Sequence, residues 1–299
     1  MTLALGMKPN EHEYKVMGLA PYGESRQGYE VYEIFRDTLR VSGTDFIWKT
    51  KPNDSYFWFR DRLEGYRFDA IAFGLQHWVE DLVLQIVRAG IQHTGLRKVV
   101  LSGGVAMNVK AMGRLCELAE LEEVFVGGTP ADDTLAVGAA YSALEDLTTD
   151  QGGAWDSRTV PPLSSLYLGA DVSEKDQAQA ISSLSTDKYE VHHAPSHSEI
   201  AGILASGKIL GRCVGRMEFG QRALGNRSLL ADPKFPGVKE RINAAIKHRD
   251  FWMPFAPLVL DTFAERYLIS IDKANCTYMS IGMQTTEEGF QAMLAACHP

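Results

Sequence analysis

The clearest hydrophobic period in the chain runs from Phe68 to Thr94. Apolar side chains at Ile71, Leu75, Trp78, Val79, Leu82, Ile86 and Ile91 recur at the spacing of one buried helical face. Gly95 follows as a helix stop. Downstream the period changes. KVVLSGG (98–104) reads as a short buried strand entering a glycine turn, and VAMNVKAMGRLCELAE (105–120) as a helix. EEVFVGG (122–128) reads as a second strand and DDTLAVGAAYSALEDL (132–147) as a second helix. Two strand–turn–helix units in series predict an α/β layer. Upstream, residues 9–40 are partly helical in pattern, and residues 42–66 are aromatic and turn-rich without a clean period.

The stretch 148–165, TTDQGGAWDSRTVPPLSS, collects Gly, Pro, Ser and Thr and is the best candidate linker. It divides the chain into an expected first domain, 1–160, and second domain, 161–299. After it the pattern restarts. SEKDQAQAISSLS and SEIAGILASG read as helices, and YEVHHA as a strand between them. KILGRC is a strand leading to a basic loop, SLLAD a short strand, PGVKERINAAIKH a helix opened by proline, and FAPLVL a further strand. This predicts a second α/β domain. There is no internal repeat.

Hydrophobic residues make up 45% of the 299, enough for packed cores, and no run is long and apolar enough to span a bilayer. The charged N-terminal stretch does not read as a signal peptide, so the expected location is cytoplasmic, away from membranes. The four cysteines form no CxxC pair, which argues for reduced thiols. A net charge of −8 argues against nucleic acid as a partner. Yet from Lys208 to Asp250 ten basic residues stand against four acidic ones. A small anion such as phosphate is one explanation of that local excess; from charge alone an ordinary solvated basic face is the commoner one.

Three segments carry candidate chemistry. In LSGGVAMNVK, Gly103 and Gly104 sit between a strand and a helix start, where backbone can approach a ribose or phosphate, and Asn108 could bond ligand hydroxyls; a plain tight turn is the commoner use. In GGTPADDTLAVGAA, Asp132 or Asp133 serves as a helix N-cap or as an oxygen ligand to a metal, and Gly138, Ala139 and Ala140 suggest close helix packing. GRMEFGQRALGNRSLLAD is the most specific. Arg216, Arg222 and Arg227 alternate with Gly215, Gly220 and Gly225, so that guanidinium forks can converge on phosphate, with Glu218 placed to orient one of them. The helix beyond it sets Lys239, Asn243 and Lys247 along one face. Trp252 and Phe255 follow as a rigid apolar wall. The adjacent His192 and His193 would face opposite sides of a strand and cannot readily share an ion.

Taken together, HEYKVMGLAPYG, LSGGVAMNVK, PADDTLAVGAA, GRMEFGQRALGNRSLLADP and INAAIKHRDFWMPFAP resemble the ordered motifs of O-carbamoyltransferases of the nodulation protein U and tobramycin carbamoyltransferase type. The resemblance spans about 245 residues. It implies the C-terminal part of an actin/Hsp70-like (ASKHA) nucleotide-binding domain followed by a YrdC-like α/β domain, truncated at both ends. It implies ATP and carbamoyl phosphate as substrates, a small hydroxyl-bearing acceptor, and a divalent metal (iron or magnesium) in the full-length protein that this chain would not retain. Arg222 and Lys247 would be catalytic, with Arg216, Arg227 and Arg249 as phosphate contacts. Gly103, Gly104 and Asn108 would meet the nucleotide and Asp132 the metal. Gln221 and Met253 depart from the family pattern, which has proline and arginine there. Two rival readings stay open: an ATP-dependent kinase of the actin-like superfamily, and a non-catalytic nucleotide- or RNA-binding module. Acceptor and oligomeric state are not legible.

Overall fold

The computed structural model describes residues 1–160, 163–185 and 187–299. The expected long helix forms as α4, Phe68–Thr94, and ends on Gly95 in the left-handed region. Two shorter helices pack on it, α1 (Glu13–Leu19) and α2 (Arg26–Arg36). Val31 and Phe35 of α2 are fully buried, and Phe35 stacks on Trp78 of α4 at 5.5 Å. The crossing depends on Gly74, where a Cβ would fall 2.6 Å from the Tyr32 amide nitrogen. Residues 42–66, which showed no period, include strand β2 (Asp45–Trp48), which pairs antiparallel with β1 (Leu39–Ser42), and helix α3 (Ser55–Leu63). Both elements are mostly solvent-facing, so burial imprints no period on them. Local chemistry sets them instead: Gly43 turns the hairpin at φ 60°, and Asp54 caps α3 by accepting the Phe57 amide at 2.9 Å.

A second core forms around β3 (Lys98–Leu101) and β4 (Glu123–Val126), paired in parallel from Lys98↔Glu123 to Leu101↔Val126. The crossover is a 3₁₀ turn (Gly104–Met107) followed by α5 (Val109–Cys116), so the single helix expected over 105–120 is split and shorter. Met112, Leu115 and Cys116 of α5 bury against Val124 and Val126 of β4. The segment 274–282 closes this core from far along the chain. Ala274 bridges Val124, Ser280 Oγ donates to the Val126 carbonyl at 3.2 Å, and the Gly282 amide donates to the Val109 carbonyl at 2.8 Å.

Helix α6 (Leu135–Asp150) runs beyond the expected end, so the first residues of the expected linker are its last turn. It buries none of its residues, and a Cβ on Gly138 would meet nothing within 4 Å. The close packing expected at Gly138, Ala139 and Ala140 is therefore not observed. The expected domain boundary at 160/161 falls on Pro161 and Pro162, which lie outside the described residues.

In the second half, α7 (Glu174–Ser182) and α8 (His197–Ala205) start from complete capping boxes, Ser173 with Asp176 and Ser196 with Glu199. Strands β5 (Leu210–Cys213) and β6 (Arg227–Leu230) pair antiparallel. Helix α9 (Val238–Ile242) widens into a π turn (Asn243–Lys247) that stops at His248 in the left-handed region. Short helices α10 (Ala264–Tyr267) and α11 (Glu287–Ala292) follow. YEVHHA and FAPLVL, expected as strands, join no sheet among the described residues. Both lie largely in solvent, with Leu258 82% exposed, and strand-like composition without a neighbouring ladder does not make a strand. The motif around Trp252 reaches back to α1: its indole donates to the Lys15 carbonyl at 3.1 Å, and Asp250 pairs with Lys15 at 3.1 Å. The fold is thus α/β, with short two-stranded sheets among many helices.

The tightest backbone approach in the second core is at Gly113, where a Cβ would lie 1.9 Å from the Gly282 carbonyl oxygen. Gly113→Ala is expected to lose about 1–3 kcal/mol in urea unfolding, as an overpacked core site does. Gly138→Ala, on open α6, is expected to gain about 0.5–1 kcal/mol. Equal stability for Gly113→Ala and the unaltered protein would disprove the crossing.

Candidate functional site

Parallel pairing brings the C-terminal ends of β3 and β4 to one edge, where open α/β layers bind ligands. Gly103 leaves β3 at φ 96°, and its amide donates to the Pro130 carbonyl of the β4 loop at 2.7 Å. Ser102 Oγ donates to the same carbonyl at 3.2 Å. Gly103 and Gly104 are exposed, and a Cβ on either would meet nothing within 4 Å, so the backbone is open to a ligand.

Asn108 is more occupied than the sequence suggests. It caps α5, accepting the Ala111 amide at 3.0 Å, and forms a reciprocal amide pair with Gln76 at 2.8 and 3.0 Å. Gln76 also donates to buried Glu80 at 2.8 Å. Neither was singled out from sequence; the signal was a polar i, i+4 pair inside the apolar stretch of α4.

On the β4 loop, Asp132 is exposed and Asp133 accepts Thr129 Oγ1 at 2.8 Å. Neither aspartate caps α6, whose N-cap residue is Thr134 and which has no side-chain cap bond.

The arginine loop docks on the β4 loop. Gly220, at φ 92°, lies against buried Thr129, where a Cβ would come within 2.8 Å of the Thr129 Cβ. Phe219 donates its amide to the Leu166 carbonyl at 2.7 Å. Arg216 donates to the Gly169 and Leu168 carbonyls at 3.0 and 2.9 Å. Arg227 donates to the carbonyls of Val214, Asn226 and Gly215 at 2.7 to 3.0 Å. Arg249 donates to Asn243 Oδ1 at 2.6 Å and the Pro254 carbonyl at 3.0 Å, and lies 4.4 Å over the Phe255 ring. These three guanidinium groups hold backbone in place.

Arg222 differs: among the described residues no hydrogen bond or ion pair holds it. It is partly buried, and that burial lowers its pKa. Lys247 ends the π turn and is exposed. Asn243, expected beside it on a solvated face, is instead 1% exposed and bonded to the Met253 carbonyl at 2.9 Å. The π turn's extra residue per turn breaks the expected i+4 alignment. Two concavities, of about 370 and 260 Å³, lie elsewhere, one beside Tyr22 and Arg67 and one beside Phe125 and Asp272.

Glu218 does not orient an arginine side chain, as the sequence suggested. Its Oε1 accepts the amides of Leu224, Asn226 and Arg227 at 2.8, 2.8 and 3.1 Å. Burial pushes this carboxyl up, but the amide hydrogen bonds together outweigh it and hold the group below its ordinary 4.5. A depressed carboxylate stabilises the fold above its unfolded pKa, and that contribution is lost as pH falls through the folded value. The stability gap between the unaltered protein and Glu218→Gln is therefore expected to narrow below pH 4.5. Urea unfolding from about pH 7 to about pH 3 measures it; a constant gap would mean that ionised Glu218 does not hold the loop.

Comparison with known proteins follows the same segments. The family described as Carbamoyltransferase N-terminus matches residues 1–141, and Carbamoyltransferase C-terminus matches residues 201–299. An uncharacterized protein of Methanocaldococcus jannaschii, MJ1058, is 29% identical over 312 residues, covering 99% of this chain and 48% of that protein. Nodulation protein NolNO of Sinorhizobium fredii is 32% identical over 264 residues, covering 85% of this chain and 37% of that protein. Nodulation protein NolO of Bradyrhizobium diazoefficiens is 31% identical over 266 residues, covering 85% and 46%. The chain thus spans about half or less of the length of these curated relatives. With both family regions present, in order and on the segments that build the strand-end loops and the arginine loop, the chain belongs to the carbamoyltransferase family of enzymes.

Proposed function

We propose that this chain carries the carbamoyl-phosphate-handling part of an O-carbamoyltransferase. In that reaction carbamoyl phosphate, ATP and water give carbamoyl-adenylate, pyrophosphate and phosphate. The carbamoyl group then passes to a hydroxyl of a small acceptor, releasing AMP. Residues 1–160 are read as the C-terminal part of an actin/Hsp70-like nucleotide-binding domain and 161–299 as a YrdC-like domain. Membership of the carbamoyltransferase family sets this ahead of a kinase or a non-catalytic nucleotide- or RNA-binding module.

One observation carries the reading: Arg222 is a partly buried cation without an acceptor among the described residues, on a loop fixed against the end of β4. A guanidinium so placed gains most from a bidentate oxyanion, and phosphate fits it. Arg222 binds phosphate oxygens and Lys247 adds a second, mobile charge as the leaving groups form. Arg216, Arg227 and Arg249 support the phosphate through the backbone they hold and the N–H groups left to them. Gly103 and Gly104 admit the nucleotide backbone-close, with one Nδ2 hydrogen of Asn108 left for a hydroxyl.

Asp132 offers a metal one carboxylate. Among the described residues no three His, Cys, Asp or Glu side chains gather to hold an ion. These residues alone do not fit a tightly held metal.

Incubation with ATP and carbamoyl phosphate is expected to release pyrophosphate only when both are present. Arg222→Ala is expected to cut the rate at least about 100-fold, as loss of one preorganised charge contact does. ADP as the product, or pyrophosphate release undiminished in Arg222→Ala, would overturn the proposal.

A further inference from the structure

From Glu218 to Leu224 the chain forms a closed loop. Its neck is the Leu224 amide donating to Glu218 Oε1 at 2.8 Å, reinforced at the same oxygen by the Asn226 and Arg227 amides at 2.8 and 3.1 Å. Its tip is Gly220, pressed on Thr129 with no room for a Cβ. Arg222 rides on the limb between tip and neck. The outer wall is tied as well: Tyr167 donates to the Leu224 carbonyl at 2.8 Å, and Asn226 donates through its side chain to the Arg216 carbonyl at 2.8 Å.

Glu218 is only 8% exposed, in a stretch rich in arginine. A buried carboxylate there would ordinarily take a guanidinium partner. Instead backbone amides neutralise it, and no Lys or Arg pairs with it among the described residues. Arg222 is left for an external anion. Opening the loop would exchange three charge-assisted hydrogen bonds for water, so the closed shape is preferred.

We propose that Glu218 is the positioning residue of the anion site: it holds the 218–227 loop in the shape that presents Arg222, and it acts on an anion only through Arg222. This rests on the reading of Arg222 as the anion-binding side chain. A merely structural carboxylate would alter stability without any coupling to Arg222.

Calorimetric titration of this chain with inorganic pyrophosphate separates the cases. Arg222→Ala is expected to weaken binding at least about tenfold, the scale of one charge-assisted contact. Glu218→Ala should weaken it nearly as much. Glu218→Gln, which keeps an acceptor oxygen but loses the charge, should fall between. The double variant Glu218→Ala/Arg222→Ala should bind no more weakly than Arg222→Ala alone. If Glu218→Ala does not fold, Glu218→Gln alone and combined with Arg222→Ala completes the same cycle. Additive losses in the double variant, or undiminished binding by the Glu218 variants, would overturn this inference while leaving Arg222 in place. Undiminished binding by Arg222→Ala, or no binding by the unaltered chain, would sink the reading of Arg222 and this inference with it.

Discussion

Everything at the candidate site follows from the parallel pairing of Lys98–Leu101 with Glu123–Val126. Parallel strands cannot be joined by a tight turn; the chain must cross over and return to the same starting edge. Both exits therefore open on one side. That puts Gly103 beside Pro130, tied by their 2.7 Å bond, and leaves Thr129 as a buried platform between them. The arginine loop has somewhere to dock only because this edge exists. An antiparallel pair of the same residues would send the two glycine turns to opposite ends. The crossover helix between them is anchored by Asn108, whose amide pair with Gln76 fixes it to α4. The polar groups near the site therefore serve first to hold its walls.

What could be read from the chain divides along burial. The bounds of α4 and its glycine stop were legible because a helix that buries one face must repeat apolar residues on that face. The strands β3, β4 and β6 were legible because each is a short apolar run between turn residues. The hairpin at 39–48 and helix α3 left no such trace, since neither buries a full face; their turn and cap residues were the only signal. YEVHHA and FAPLVL show the converse failure. Their composition suits a strand, but strand pairing is a long-range property and no ladder reaches them among the described residues. The motifs LSGGVAMNVK, PADDTLAVGAA and GRMEFGQRALGNRSLLADP fall on the β3 exit, the β4 exit and the loop docked on it, while saying little about which side chains are tied to backbone.

The basic stretch illustrates why. Charge clustering singled out Arg216, Arg222, Arg227 and Arg249 alike, because sequence shows charge and hides hydrogen-bond partners. In the fold, three of them donate to carbonyls of Gly169, Val214, Pro254 and their neighbours. An arginine is suited to that work: its planar fork can tie several backbone oxygens at once, as Arg227 ties Val214, Gly215 and Asn226. A loop with many glycines has little side-chain packing to define it, so such ties substitute for a core. Met253 follows the same logic. It is buried against Gly18 of α1, in a position where an arginine would have to reach solvent or a carbonyl, and here it packs instead.

Leaving Arg222 unbonded is unfavourable for the free protein. Partial burial removes some water from the guanidinium and lowers its pKa, and among the described residues no acceptor offsets that. The loop is held at its neck by Glu218, at its tip by Thr129 and at its wall by Tyr167, so the backbone that carries Arg222 is fixed. On the proposed reading, an anion would replace water on the guanidinium without having to order the loop first, and the interaction would be stronger for being partly removed from water. The more rigid the loop, the larger the difference between the empty and the occupied state. On this view the numerous backbone bonds of residues 214–228 are not incidental to anion binding but are the means by which a single arginine is made selective for it.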